Sequence, residues 1–157
     1  IRFRGEVPAG ILIPHILLMF LALTVVLRAA LALLLGDPSP ERFVPWILLM
    51  MVPGGLVFGP LVQKHAFGAY WTGWPLGDDW TDNKTLAAVL GWFVAWAIAR
   101  AVSASARGVR VKLTAMGLAV ALTLAVYLIP HSVHGSELDW SEVDAAATAD
   151  RGVSPDP

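Results

Sequence analysis

Four long apolar blocks, separated by short polar or breaker-rich segments, run through the sequence. An α-helix needs about 20 mainly apolar residues to cross the hydrocarbon core of a bilayer, and each block approaches that length. The pattern predicts membrane spans at about 13–35, 43–62, 85–102 and 113–130. We therefore predict an all-α integral membrane protein, with a four-helix transmembrane domain over residues 1–134 and an acidic, partly disordered tail over residues 135–157.

Proline and glycine mark the expected ends and irregularities of these spans. Pro14 fits best in the first turn of a helix, where its missing N–H costs no hydrogen bond, so the first span is expected to begin near it. The second span contains several helix breakers, namely Pro53, Gly54, Gly55, Gly59 and Pro60. A helix in lipid tolerates such residues where neighbouring helices satisfy the freed carbonyl groups. We expect a kinked second span that is buried among the others.

Side chains at a spacing of four residues predict helix contacts. Gly55 and Gly59 form a small-residue pair of this kind in the second span. The same spacing gives a close-packing stripe in the fourth span, formed by Gly117, Ala121 and Ala125. On the third span it gives a lipid-anchoring or partner-packing stripe, formed by Trp92, Trp96 and Arg100.

The composition agrees with a membrane protein and excludes several kinds of site. Of 157 residues, 57% are hydrophobic and 15% are charged, whereas a soluble domain typically carries about a quarter charged residues. The net charge of −1 offers no basic surface for nucleic acid, so we predict no nucleic-acid partner. Without cysteine, these residues form no disulfide, thiolate metal site, iron–sulfur cluster or c-type haem attachment. A metal or haem would need His, Met, Tyr or carboxylate ligands.

The distribution of basic residues predicts the orientation. The connection between the third and fourth spans carries no acid and four basic residues, namely Arg100, Arg107, Arg110 and Lys112. Because cytoplasmic loops retain Arg and Lys, this connection is expected on the cytoplasmic side of a bacterial inner membrane. The loop over residues 63–84 and the acidic tail are then expected on the periplasmic side. An even number of spans also brings four histidines near one surface: His15, His65, His131 and His134.

The loop between the second and third spans is rich in aromatic and acidic residues. We predict an ordered docking loop that carries Tyr70, Trp71, Trp74, Asp78, Asp79, Trp80 and Asp82. Trp and Tyr favour the headgroup region, where an apolar ring and a polar N–H or O–H are both accommodated. The functional interpretation is a docking platform or a lid over a site. The alternative is an aromatic belt in which Thr81 or Asp82 caps the third helix.

A His-x-x-His-x-x-Glu segment follows the fourth span. His131, His134 and Glu137 would share one side of a continued helical turn, and His65 lies near the same surface. Two histidines and a carboxylate resemble a ligand set for zinc, copper or iron. Pro130 weakens the helical geometry, and the alternative is that these side chains only form hydrogen bonds at the interface.

Three residues suggest a redox cofactor. His15 and His131 lie at similar predicted depths in separate spans, as the axial ligands of a b-type haem require. Quinone binding at His15 or His65, with aromatic walls from the loop, is the competing interpretation. Arg28 lies inside the first span and either snorkels to the surface or pairs with another subunit, a lipid phosphate or a cofactor propionate.

Two segments carry a resemblance to known membrane proteins. The sequence reads YWTGWPLG at 70–77 and WTDNKT at 80–85, followed by IPHS at 129–132 and GSE at 135–137. This pattern resembles a family of small, uncharacterised bacterial multi-span membrane proteins that share WTGxPxGxxxTDNKT and PHSxxGSE. The histidine layout is more weakly similar to cytochrome-b-like membrane anchors. Those anchors usually place paired histidines within the helices, whereas these histidines lie at span ends.

Together these features predict a non-catalytic accessory or anchor subunit of a larger inner-membrane assembly. We expect its partners to be the lipid bilayer and other membrane subunits, and its role to be related to electron transfer, with a haem or quinone held near one face. The alternative is a small membrane metal-binding protein or metalloenzyme that uses the His-x-x-His-x-x-Glu segment. A transporter is disfavoured because no acidic residue lies in the middle of a span.

Overall fold

A computed structural model describes residues 6–75, 80–102 and 104–128, and the side chains of residues 80 and 81 are not described. Its helices are α1 (Ala9–Leu34), a 3-10 turn (Pro40–Phe43), α2 (Val44–Met51), a π-helical segment (Val52–Phe58), α3 (Gly59–Phe67), α4 (Trp80–Ala101) and α5 (Ala106–Leu128). All regular structure in these ranges is helical. Four continuous helical stretches are long and apolar enough to cross a membrane, because Pro40–Phe67 forms a single span. The predicted all-α, four-span architecture is thus confirmed.

The four spans run alternately up and down, and side-chain contacts join them at both ends. In the N-terminal half of α1, the Tyr127 hydroxyl from the last turn of α5 donates to the carbonyl oxygen of Met19 at 2.8 Å. Near the other end, the Lys112 ammonium of α5 lies 2.9 Å from a carboxylate oxygen of Glu41, in the 3-10 turn. We term one end of the helical domain the histidine end, which holds His15 and the 68–75 loop. The opposite end is the basic end, which holds residues 35–43 and the connection between α4 and α5.

The first span begins four residues before its predicted start. The carbonyl of Pro8 accepts hydrogen bonds from the N–H groups of Ile11 and Leu12, at 2.9 and 3.0 Å, and so begins the helix at Ala9. Pro14 therefore lies inside α1, where it cannot donate the usual bond to the carbonyl four residues earlier. His15 accordingly lies in the second turn of the helix.

Several other bounds also extend beyond the predicted apolar blocks, whereas α1 and α4 each end one residue before the predicted bound. The second span continues through Phe67, and Gly68 ends it in the left-handed conformation (φ 87°) that glycine adopts readily. The fourth begins at Ala106 instead of residue 113, because its first turns carry basic residues that form helix well but interrupt an apolar pattern. The hydroxyl of Ser105 accepts from the N–H of Gly108 at 3.2 Å at this start. Residues 129 and 130, expected in this span, lie outside the described ranges.

The breakers of the second span produce the π-helical segment. Pro53 has no N–H to donate, and the N–H of Gly59 reaches back five residues to the carbonyl of Gly54. Gly54 and Gly55 are buried, and they allow close approach of two other spans. A Cβ atom on Gly54 would lie 2.9 Å from the Cβ of Leu18, and one on Gly55 would lie 2.6 Å from the Cγ2 of Thr85.

The residues of the predicted stripes differ in burial, although each stripe was expected to lie on one face of its helix. Trp92 is fully buried, whereas Trp96 is 37% exposed and stacks with the Arg100 guanidinium 5.2 Å from its ring centroid. Side chains four positions apart on a helix differ by about 40° in direction, so a stripe can cross from the core to the surface. In the fourth span, Ala121 and Ala125 are exposed and a Cβ on Gly117 would meet nothing within 4 Å. That stripe therefore faces away from the rest of the described chain.

A buried hydrogen-bond chain links α4 to α5. The Trp92 indole N–H donates to the Thr123 hydroxyl at 2.8 Å, and that hydroxyl donates to the carbonyl of Ala119 at 2.8 Å. We expect Thr123→Val to lower the unfolding free energy by about 1 kcal/mol, because the indole N–H loses its acceptor. The same substitution should cost clearly less in a Trp92→Phe background. Thermal unfolding of the two single variants and the double variant in detergent measures this coupling; strictly additive effects would contradict it.

Candidate functional site

The imidazole of His15 is held by the backbone of the π-helical segment. Its Nδ1 lies 2.8 Å from the carbonyl oxygen of Gly54. A carbonyl oxygen only accepts, so Nδ1 carries the proton and donates. In the neutral side chain Nε2 then bears a lone pair. His15 is thus fixed in one tautomer, with Nε2 able to bind a metal or accept a proton.

Small residues make room for this imidazole between the first two spans. His15 is half-buried, and a Cβ on Gly59 would lie 3.8 Å from its Cε1 atom. The carbonyl of Gly54 also accepts the N–H of Gly59, so one oxygen bonds both the π-helical backbone and the imidazole. The position of His15 therefore depends on the irregular backbone that Pro53 introduces. The sequence identified His15 and the irregular span, but not that they contact each other.

The carboxylate of Asp82 holds the aromatic loop against the first turn of α4. One of its oxygens accepts from the backbone N–H groups of Thr72 at 2.8 Å and Gly73 at 3.2 Å. Asp82 was predicted as a possible cap residue, but α4 begins two residues earlier and its carboxylate instead serves the loop backbone. We term residues 72–74 with Asp82 and Asn83 the loop clasp.

Asn83 completes the clasp from the next position of α4. With its amide oriented to match donors to acceptors, it donates to the carbonyl of Trp74 at 3.2 Å and accepts from the N–H of Trp74 at 3.0 Å. Gly73 is required between them, because a Cβ there would lie 2.7 Å from the Oδ1 position of Asn83. The clasp thus gives a structural reason for the TGW sequence at 72–74 and for the DN sequence at 82–83.

Other polar groups of the loop are also used internally. The buried Gln63 amide donates to the hydroxyl of Thr72, which ties the loop to α3. The Lys64 ammonium donates to the carbonyl of Gly68 and lies 5.2 Å from the centre of the Tyr70 ring. These contacts fix the backbone between α3 and Thr72.

The predicted docking residues fall into three groups. Tyr70 and Trp74 are exposed, whereas Trp71 is half-buried and its indole N–H donates to the carbonyl of Trp74 at 3.4 Å. Asp82 is occupied by the clasp. Asp78 and Asp79, together with the side chain of Trp80, lie outside the described part of the chain.

The predicted metal ligands are mostly outside the described part as well. His131, His134 and Glu137 belong to residues 129–157, of which the structure describes none. His65 is exposed in the last turn of α3. Within residues 6–75, 80–102 and 104–128, no three histidine or carboxylate side chains cluster as a metal site would require.

Arg28 lies at the basic end and does not share a site with His15. Its guanidinium is 5.1 Å from the centre of the Phe43 ring, and that of Arg42 is 4.9 Å from the same centre. Thirteen residues of α1 separate Arg28 from His15, which is about 20 Å along the helix axis. The length of the helix between them therefore places Arg28 and His15 near opposite ends of α1.

Ion pairs organise the basic end. Arg42 donates to both carboxylate oxygens of Asp37. The backbone N–H of Ser39 and the positive charge of Arg42 lower the pKa of Asp37. The second pair, Lys112 with Glu41, leaves the other carboxylate oxygen of Glu41 buried and without a hydrogen-bond partner among the described residues. Sequence spacing does not indicate the pair between Lys112 and Glu41, because these residues are 71 positions apart and meet only in the folded chain.

Comparison with models of protein families, with curated proteins and with solved structures gives no match.

Proposed function

We propose that this chain is an integral membrane accessory subunit of a larger bacterial inner-membrane assembly related to electron transfer, and that it helps hold a haem or a quinone at the histidine end. The observation that carries the proposal is the 2.8 Å contact between His15 Nδ1 and the carbonyl of Gly54. Histidines that ligate metals commonly donate their second ring N–H to a backbone carbonyl, which fixes the tautomer and the ring orientation.

The chemistry of Nε2 limits which cofactors suit His15. Its lone pair can bind haem iron as an axial ligand, or accept the hydroxyl proton of a quinol. Donation to the carbonyl of an oxidised quinone would need the imidazolium form. His15 is therefore best suited to serve as a haem-iron ligand or as the proton acceptor for a reduced quinone.

The proposal requires groups beyond the described residues. The described ranges offer one suitably held histidine and no ligand cluster around it. A second haem ligand would come from another subunit or from His131, which follows Leu128 by three positions in the sequence. Dependence on a further group fits an accessory subunit better than a self-contained enzyme.

The outer surface of α5 supports contact with another membrane protein. Gly117, Ala121 and Ala125 face away from the chain, and small residues of this kind allow close approach of helices in a bilayer. The metal-binding alternative depends on His131, His134 and Glu137 with His65. No contact among the described residues favours it.

Charge supports the proposed orientation. The basic end holds six basic side chains, namely Arg28, Arg42, Arg100, Arg107, Arg110 and Lys112, against two acidic ones, Asp37 and Glu41. Basic residues concentrate on the cytoplasmic side of inner-membrane proteins. The aromatic loop and the acidic tail would then lie on the periplasmic side.

We expect His15→Asn to lose the cofactor while the protein remains folded. The amide nitrogen of Asn occupies nearly the position of Nδ1 and can still donate to Gly54, but it supplies no atom equivalent to Nε2. The measurement is the visible absorption spectrum and the extracted quinone content of the complex purified in mild detergent. His65→Asn is the matched control and should retain the cofactor.

Two outcomes would contradict the proposed role in cofactor binding. One is a wild-type complex that contains neither haem nor quinone. The other is a His15→Asn protein with the same cofactor content as the wild type. Thermal unfolding of both variants separates loss of the cofactor from loss of the fold. Purification of the wild type as a monomer without other chains would exclude the accessory role itself.

A further inference from the structure

Arg28 lies on an apolar, outward-facing surface of the first span. It is exposed, as are Leu27 and Leu31 on the same stretch of α1, at 47% and 51%. Arg28 precedes the end of α1 at Leu34 by six residues, about 9 Å along the axis. In a bilayer this surface faces lipid, so the guanidinium leaves the helix within the hydrocarbon and reaches toward the basic end.

The charge of Arg28 is not matched by an ion pair within the described ranges. Their two ion pairs join Arg42 to Asp37 and Lys112 to Glu41. Arg28 contributes to lowering the pKa of Asp37, but both oxygens of that carboxylate accept from Arg42. The contact of Arg28 with the Phe43 ring orients its guanidinium without neutralising it. An arginine in lipid needs a compensating anion.

We propose that Arg28, oriented by Phe43 and assisted by Arg42, binds the phosphate of an anionic phospholipid at the basic end. A guanidinium has five N–H donors in a planar fork that matches two phosphate oxygens. The guanidinium groups of Arg28 and Arg42 lie 5.1 and 4.9 Å from the centre of the Phe43 ring, so two positive charges are concentrated beside this ring. Arg42 uses two of its donors on Asp37 and its side chain remains 51% exposed.

The surroundings favour a lipid over a free anion. A dissolved phosphate ion gains no favourable contact from the exposed leucine side chains around Arg28. The acyl chains of a phospholipid would cover Leu27 and Leu31 while its headgroup reaches Arg28. Basic sites between membrane helices on the cytoplasmic side bind anionic headgroups. This inference concerns the opposite end of the chain from His15 and does not depend on the proposed cofactor.

The test compares Arg28→Gln with Arg107→Gln. Both substitutions remove one exposed positive charge at the basic end, but Arg107 lies at the start of α5. The probes are nanodiscs of phosphatidylglycerol, nanodiscs of phosphatidylcholine, and inorganic phosphate added to protein in detergent. We measure the phosphatidylglycerol retained per chain after detergent exchange, by native mass spectrometry, and the melting temperature with each probe.

We expect wild type and Arg107→Gln to retain phosphatidylglycerol equally and to melt higher with it than with phosphatidylcholine. Arg28→Gln should retain it about five-fold less tightly, as loss of one charge contact at the membrane surface predicts. Phe43→Leu keeps the charge but removes the ring that orients it, and should weaken retention in the same direction. Should Arg28→Gln not fold, Phe43→Leu alone decides whether the orienting ring matters.

Three results would overturn the proposal. Equal loss in Arg28→Gln and Arg107→Gln would indicate general electrostatic attraction. If the single variants Phe43→Leu and Arg28→Gln both retained phosphatidylglycerol as the wild type does, there would be no lipid site at Arg28. Stabilisation by inorganic phosphate equal to that by phosphatidylglycerol would indicate a free-anion site.

Discussion

Replacing Gly54 with alanine is expected to lower the free energy of unfolding by about 3 kcal/mol, the upper part of the range for overpacking a tight contact. The new methyl group would lie 2.9 Å from the Cβ of Leu18 and 3.2 Å from the sulfur of Met19. The Met19 sulfur belongs to a flexible side chain and can move. The Cβ of Leu18 is attached directly to the backbone, so the π-helical segment and α1 must separate to relieve the contact.

Gly117→Ala is the matched control for this substitution. It adds the same methyl group to a glycine in a membrane span, but in a position with no heavy atom within 4 Å. We expect it to be neutral or stabilising by up to about 1 kcal/mol, since alanine favours helix more than glycine. The measurement is thermal unfolding in a detergent of fixed composition. Equal stability of the two variants would refute the close contact at Gly54.

Gly54→Ala should also reduce cofactor binding more than the control does. The displaced backbone carries the carbonyl that holds His15, so the separation that relieves the steric overlap lengthens the 2.8 Å contact with Nδ1. His15→Asn, by contrast, should remove the cofactor without the loss of stability. The two variants together distinguish the packing role of the π-helical segment from its role in orienting the imidazole.

Replacing Asp82 with alanine is expected to destabilise the folded protein by about 3 kcal/mol and to free the aromatic loop. Two backbone N–H groups, of Thr72 and Gly73, would lose a charged acceptor, and each such hydrogen bond contributes roughly 1.5–3 kcal/mol. Thr72, Gly73 and Asp82 are half-buried or buried, so water replaces the carboxylate only in part. Asp82→Asn keeps one acceptor oxygen and should lie between the alanine variant and the wild type.

Amide hydrogen exchange detects this change at its source. The amides of Thr72, Gly73 and Trp74 should exchange much faster in Asp82→Ala, whereas amides at the centres of α1 and α5 should change little. Glu6→Gln is the control, because Glu6 is an exposed acid near the same end. If exchange at residues 72–74 were the same in Asp82→Ala as in the wild type, the carboxylate would not be what holds the loop.

The apolar blocks were sufficient to predict the four membrane helices, but not their full lengths. Hydropathy follows the requirement for burial in lipid, whereas a helix continues for as long as its backbone hydrogen bonds can form. The first turns of α4 and α5 are polar, so an apolar criterion began both spans too late. Pro14 was assigned to a helix start from its usual preference, yet Pro8 begins α1.

The candidate site was predictable as a set of residues but not as an arrangement. His15 and Asp82 were identified from their types and positions. Their partners are backbone groups of Gly54, Thr72 and Gly73, and no sequence pattern identifies which carbonyl or N–H a side chain will meet. Arg28 was identified inside the first span, but its contact with the ring of Phe43 was not predicted.

The ion pair between Glu41 and Lys112 has a consequence for biosynthesis. The two partners are 71 residues apart, and a chain made at about 5–20 residues per second leaves Glu41 waiting roughly 4–14 s for Lys112. During that interval the first two spans can already be inserted, with the carboxylate near the surface, where water can solvate it. The last span supplies the ammonium group when it emerges from the ribosome. The ion pair then joins the third and fourth spans to the first and second.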